Sequence, residues 1–227
     1  EQLTQLLIRP LRDAELDERS AKNMAMHALA AKSLELFQCS ILLLEGGCIP
    51  AAKIVCRALI ETVYKLVAIQ LSTDAIDLYL QQARQTRLQK LKSIVKYKQK
   101  HKNSGVAAGV EAEIKCLSKQ KLMKTEPSAW AKLAQMEDFH NIYYQGMSDD
   151  VHANIESLNH YFDESSTHLV SFGPSAKDLT TVAAACHRTM LNAIEKYAHF
   201  LKVNVSQELS GLSRRIDAIE VPLEQDG

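Results

Sequence analysis

Residues 54–69 read IVCRALIETVYKLVAI, and the fold turns on how this stretch is read. Drawn as a helix, it carries apolar side chains on nearly every side, which predicts a central, buried element. Its charges, Arg57, Glu61 and Lys65, are spaced by four and share one narrow stripe. A charge inside a bundle is costly unless it is paired. Arg57 and Glu61 meet that demand in either of two ways. They form an internal salt bridge that locks the helix, or they make a polar floor on which Arg57 binds an anion and Glu61 orients it.

Working outward, Pro50 suits a helix first turn, so the central helix is expected to run from there to about Leu71. Gly46-Gly47 closes the helix before it, which Asp17 opens as a cap and which runs to about Glu45 with apolar positions at helical spacing. An N-terminal helix from Leu3 to Leu16 is expected to be interrupted near Pro10. After the central helix, Ser72 or Thr73 caps a fourth, and Ala107 to Lys124 forms a weaker fifth. Pro127 opens a sixth that carries Trp130, and Phe139 to Met147 continues helically. A short helix is expected at Asn154 to Tyr161, a loop at 165–174, and a last long helix capped by Ser175 and reaching about Val203. With only 8 Gly and 5 Pro, the chain has few of the breakers that strands and tight turns need. The expectation is an all-α, single-domain antiparallel bundle of about seven to eight helices over residues 1–205, with 206–227 as a flexible tail.

Charge and cysteine usage narrow the function classes. Lys+Arg and Asp+Glu are balanced at 27 each, but the distribution is uneven. From Arg84 to Lys102 no residue is acidic, and Arg84, Arg87, Lys90, Lys92 and Lys96 head a run that suits RNA or an acidic protein partner, or else a solvated helical face. The five cysteines are scattered, without C-x-x-C, and read as small core residues in a reducing, cytoplasmic compartment, not as disulfides or metal ligands. No stretch reads as the ~20 apolar residues that span a bilayer, so no membrane association is expected. The chain starts at Glu1 and not at Met, which leaves room for residues ahead of it.

A second segment, 139–161, reads FHNIYYQGMSDDVHANIESLNHY and is dense in His, Tyr, Asn and Ser around a helix break. His152 follows a turn, and Tyr144 and Ser148 are four apart on one helical face. A histidine neutral near pH 7 can act as general base, and a tyrosine or serine can donate to developing charge. The alternative is a histidine that bonds a helix end and tyrosines that fill a small core. The phosphate-cradling, dinucleotide, zinc-protease and nucleophile-elbow motifs are missing, as are paired E-x-x-H units. His140, His152, His160 and His168 fit no metal-ligand spacing, so no metal and no cofactor is expected.

Taken together, GGCIPAAKIVCRALIETVYKLVAI, DLYLQQARQTRLQKLKSI, SAWAKLAQM and YYQGMSDDVHANIESLNHY resemble a bacterial all-helical family known only as a domain of unknown function, itself similar to HEPN-type helical domains. The shared pattern is R-x-L-x-E (Arg57, Leu59, Glu61), a later Trp (Trp130), and Tyr, Ser and Val-His (Tyr144, Ser148, Val151, His152). The resemblance implies a HEPN-like helical core and a bacterial cytosolic setting. Many HEPN domains are RNases of toxin–antitoxin or defence systems that use R-x4-6-H on one helix at a dimer interface. This chain has no such spacing, so its Arg and His come from different helices, Arg57 and His152. The expected site is therefore Arg57, Glu61, Tyr144, Ser148 and His152. The expected function is nucleotide or RNA binding or metal-independent RNA cleavage, with a second copy as a further partner. The competing reading is a non-catalytic interaction domain in which Arg57–Glu61 is structural.

Overall fold

The computed structural model describes residues 1–14, 17–101, 108–120, 122–147, 174, 176 and 178–220. Among them there are nine α-helices and no strand: α1 (Gln2–Asp13), α2 (Ala21–Glu45), α3 (Ile49–Leu71), α4 (Asp74–Lys100), α5 (Ala108–Ser118), α6 (Pro127–Leu133), α7 (Glu137–Phe139), α8 (Leu179–Leu201) and α9 (Ser206–Glu220). A π-helical turn, His140–Tyr144, continues α7. The 154–161 helix, the Ser175 cap and all of the 165–174 loop except Pro174 lie outside the described residues.

α3 is the centre. Of its residues, Cys56, Leu59, Ile60, Val63, Tyr64, Leu66, Ala68 and Ile69 are fully buried, and α2, α8, α6 and α4 all pack on it. The three residues between α2 and α3 turn the chain back on itself, so these two helices run antiparallel. Gly47 makes this possible. It adopts a left-handed conformation (φ 67°), while the Cys48 N–H reaches back to the Leu43 carbonyl at 2.8 Å, a glycine-type helix stop.

The structure departs from the sequence reading at several element ends. α1 runs through Pro10 without a break, because Leu3 and Leu7 anchor it in the core and outweigh one missing hydrogen bond. The cap of α2 is Ser20, whose Oγ accepts the Asn23 N–H at 3.2 Å; Asp17 instead accepts from Arg19 in the preceding turn. The stretch expected as a flexible tail forms α9 over 206–220. There Ile216 is buried, Leu209 and Leu212 pack on the core, and Arg188–Asp217 and Arg215–Gln2 tie the helix to α8 and α1. Its polar sequence hides a stripe at 205, 209, 212 and 216 that becomes apolar burial only against α8. Three of the five cysteines, Cys39, Cys48 and Cys116, are exposed; only Cys56 on α3 and Cys186 on α8 are core residues. By length and composition α2 is apolar enough to cross a membrane, which runs against the expectation of no such stretch. In this fold α2 lies along α3 and α8, with Met26, Leu29, Ala30 and Phe37 buried.

Candidate functional site

The sequence-predicted residues Arg57, Glu61 and Tyr144 come together. Arg57 and Glu61 are successive turns of one α3 stripe, with Nε and Oε1 3.6 Å apart, too long for a direct hydrogen bond. Tyr144 reaches them from the π turn. Its hydroxyl donates to Glu61 Oε1 at 2.6 Å, and the Arg57 guanidinium carbon sits 4.7 Å from the centre of its ring. The π turn is closed by the Gln145 N–H on the His140 carbonyl, and the extra residue per turn brings His140 and Tyr144 face to face at 4.6 Å, with ring planes 17° apart. Leu59, between Arg57 and Glu61 in sequence, points the other way and is fully buried. Ser148, Val151 and His152 lie outside the described residues.

Two further residues complete the cluster. Tyr64, fully buried, lies 5.9 Å from the His140 ring and 6.3 Å from that of Tyr144. His140 itself is 8% exposed. The signal for both was present in the sequence: Tyr64 is two turns beyond Arg57 on the same stripe, and His140 is four before Tyr144. Lys65, the third charge on the stripe, is half-buried, and burial pulls its ammonium below the usual range while Glu61 pushes it back. Trp130 supports the arrangement from below. Its Nε1–H donates to Gln82 Oε1 of α4 at 3.0 Å, and the Gln82 amide donates to the Thr125 carbonyl at 3.1 Å, which ties α6, itself packed on α3, to α4.

Electrostatically the site is starved of acceptors. Among the described residues, five buried side-chain polar atoms have no hydrogen-bond partner, and four of them are here: Arg57 Nε and Nη1, Tyr64 Oη and His140 Nδ1. Buried polar groups are normally satisfied, so such a concentration in one place calls for an explanation. The cluster is only half closed: the Arg57 side chain is 19% exposed and that of Glu61 33%. Burial, reinforced by the bond to Glu61, pushes the Tyr144 hydroxyl up to about 12, and burial raises Tyr64 further. Burial, aided by Arg57, lowers the pKa of His140. Other grooves open between α8 and α9 (about 550 Å³), among Arg188, Asn192, Glu195 and Ser210, and along α1 and α2 beside His27.

The depressed histidines carry a prediction. Burial also lowers His27, whose Nδ1 bonds the Tyr197 hydroxyl. In the unfolded chain both rings take up a proton near the ordinary 6.5, before their folded counterparts do. The unfolded state therefore binds more protons below that pH, and stability falls as pH drops from about 7 towards 5. Urea midpoints at pH steps across this window are expected to decline, and the decline should flatten in the double variant His27→Gln/His140→Gln. An unchanged slope in that variant would assign the pH dependence to other groups.

The predicted nucleic-acid residues stand apart on α4. Arg84, Lys90, Lys92 and Lys96 are exposed, and none forms an ion pair among the described residues. Arg87 differs: its guanidinium is held by Glu113 of α5 through bonds of 2.9 and 3.2 Å.

An all-helical protein with buried Arg57, Tyr64 and His140 atoms that lack partners among the described residues, clustered at its central helix, is the class defined by these observations. The chain belongs to a family of unknown function, DUF5677, whose model matches residues 23–169. That span runs from α2 through the π turn and leaves out α8 and α9, although α8 packs directly on α3. No curated protein and no solved structure matches.

Proposed function

We propose that the Arg57 cluster binds a phosphate of RNA or a nucleotide. The observation that carries this reading is the pair of buried Arg57 N–H groups without an acceptor among the described residues. A phosphate oxygen suits a guanidinium fork, and the Tyr64 hydroxyl and a His140 Nδ1–H are further donors pointing to an anion in place of a cation. Glu61 is engaged by Tyr144, which leaves it as the group that limits how much negative charge the site accepts. In the stronger form of the proposal the domain is a HEPN-like, metal-independent RNase of a defence or toxin–antitoxin system, in the bacterial cytosol. Arg57 then stabilises charge on the phosphate while a neutral histidine takes the 2′-hydroxyl proton, the 2′-oxygen bonds to phosphorus, and the bond to the 5′-oxygen breaks, that oxygen leaving with a proton from water. His152 is the histidine the sequence offers for that role; His140 is the one that lies in the Arg57 cluster, and desolvation favours the neutral form a base requires.

Calorimetric titration with adenosine 5′-monophosphate tests the binding. Wild type is expected to bind, and Arg57→Lys, which keeps the charge but loses the planar fork, to bind at least about tenfold more weakly. Equal affinity for the two proteins would remove Arg57 from the site. Cleavage of RNA in EDTA to 2′,3′-cyclic phosphate ends, lost in His140→Gln or His152→Gln, tests the stronger form, and growth arrest on induced expression tests the toxin role. One observation favours the non-catalytic alternative: the short Tyr144–Glu61 bond ties the π turn to α3 as a structural clamp would. On that reading no nucleotide binds, and the basic face of α4 docks an acidic protein.

A further inference from the structure

Lys90, Ile94, Tyr97 and His101 recur at intervals of four, three and four, and so form one stripe down the second half of α4. Tyr97 is 61% exposed and Ile94 48%, both large side chains left in water. The His101 ring lies 4.4 Å from that of Tyr97, with planes 40° apart, and the His101 N–H bonds the Tyr97 carbonyl. The histidine thus backs the tyrosine and restricts its rotation, a preorganised aromatic surface at the end of the helix. Lys90 on the stripe itself, and Lys96 and Lys100 on the flank nearer Tyr97, are exposed without an ion pair among the described residues, and no acidic residue occurs from Arg84 to Lys102.

We propose that this half of α4 is an arm that binds single-stranded nucleic acid, with a base stacked on Tyr97 and the lysines on flanking phosphates. The pairing of an exposed ring with unpaired cations matches a ligand that carries both a π-face and regularly spaced negative charge. A lipid surface fits less well, because a single aliphatic residue on the stripe, Ile94, does not make the wide apolar face that interfacial helices need. An acidic protein would satisfy the lysines but gives no reason for the exposed aromatic pair. The inference rests on the previous reading only in taking RNA as the ligand; its residues are separate.

The test is fluorescence anisotropy of the full chain with a labelled oligouridine of about 20 nucleotides, over a series of salt concentrations. Tyr97→Ala is expected to weaken binding roughly tenfold without changing the salt dependence, because stacking is not ionic. Tyr97→Phe keeps the ring and should stay within about twofold. Lys96→Ala should weaken binding and lower the salt slope by about one ion. Binding by Tyr97→Ala equal to wild type, no binding of oligouridine by wild type, or competition by polyglutamate or phosphatidylserine vesicles as effective as by RNA would each overturn the arm. Arg57→Lys, measured in parallel, separates the two proposals. A loss confined to Arg57→Lys leaves the Arg57 site and removes the arm; a loss confined to Tyr97→Ala does the reverse.

Discussion

Replacing Trp130 with alanine is expected to cost about 4 kcal/mol of folding stability, the range typical of deleting a fully buried aromatic. Trp130 is 1% exposed and lies in the short helix α6, which packs on the central α3. The loss has two parts. One is the cavity, since α6 is only one or two turns long and has little else with which to grip the core. The other is the bond from Nε1 to Gln82, which links α6 to α4. Trp130→Phe separates them: it retains most of the buried area but leaves Gln82 Oε1 without its donor, at about 1 kcal/mol. Urea unfolding followed by circular dichroism measures both. If Trp130→Ala unfolds within about 1 kcal/mol of wild type, α6 is not a structural brace. Because this is the only tryptophan in the chain, wild-type emission reports the docking of α6 directly.

The second large effect separates the two readings of Arg57 by its sign. A structural ion pair satisfies its donors. Here Nε and Nη1 are buried without partners, and each buried unsatisfied group costs about 1–3 kcal/mol. Arg57→Met keeps most of the side-chain volume over the Tyr144 ring and removes those donors. Glu61 keeps the Tyr144 hydroxyl and its exposure to water. Arg57→Met is therefore expected to be as stable as wild type, or more stable, while losing about 100-fold in nucleotide affinity, the scale of a lost charged contact. Arg57→Ala, which also uncovers the Tyr144 ring, should cost about 2 kcal/mol. A clear destabilisation by Arg57→Met with nucleotide affinity unchanged would mean that the pair is a structural clamp.

How far the sequence reaches is visible in particular residues. The burial of α3 could be read from 54–69 because a helix that is apolar all round has only one place to go. The Arg57–Glu61 stripe was equally legible, since the spacing of four is a property of the helix itself. The meeting of this stripe with Tyr144 was expected from a likeness to other sequences, with no physics in the chain to measure it. His140 was passed over because its role depends on a π turn, and an extra residue in one helical turn leaves no periodic mark. Tyr97 was overlooked because a single tyrosine among lysines looks like an ordinary exposed residue until His101 is seen against it.

By itself, then, the sequence determined what local periodicity and composition dictate: the helical class, the central element, the Gly47 stop and the basic run. The tertiary structure alone decided which polar groups find partners. It showed that α9 has a face to bury, that Arg87 is claimed by Glu113, and that four donor and acceptor atoms around Arg57 are left without partners among the described residues. The physical reason is that hydrogen-bond satisfaction is set by groups tens of residues apart, brought within 3 Å or left short of it by packing, and neither outcome is encoded in any local pattern.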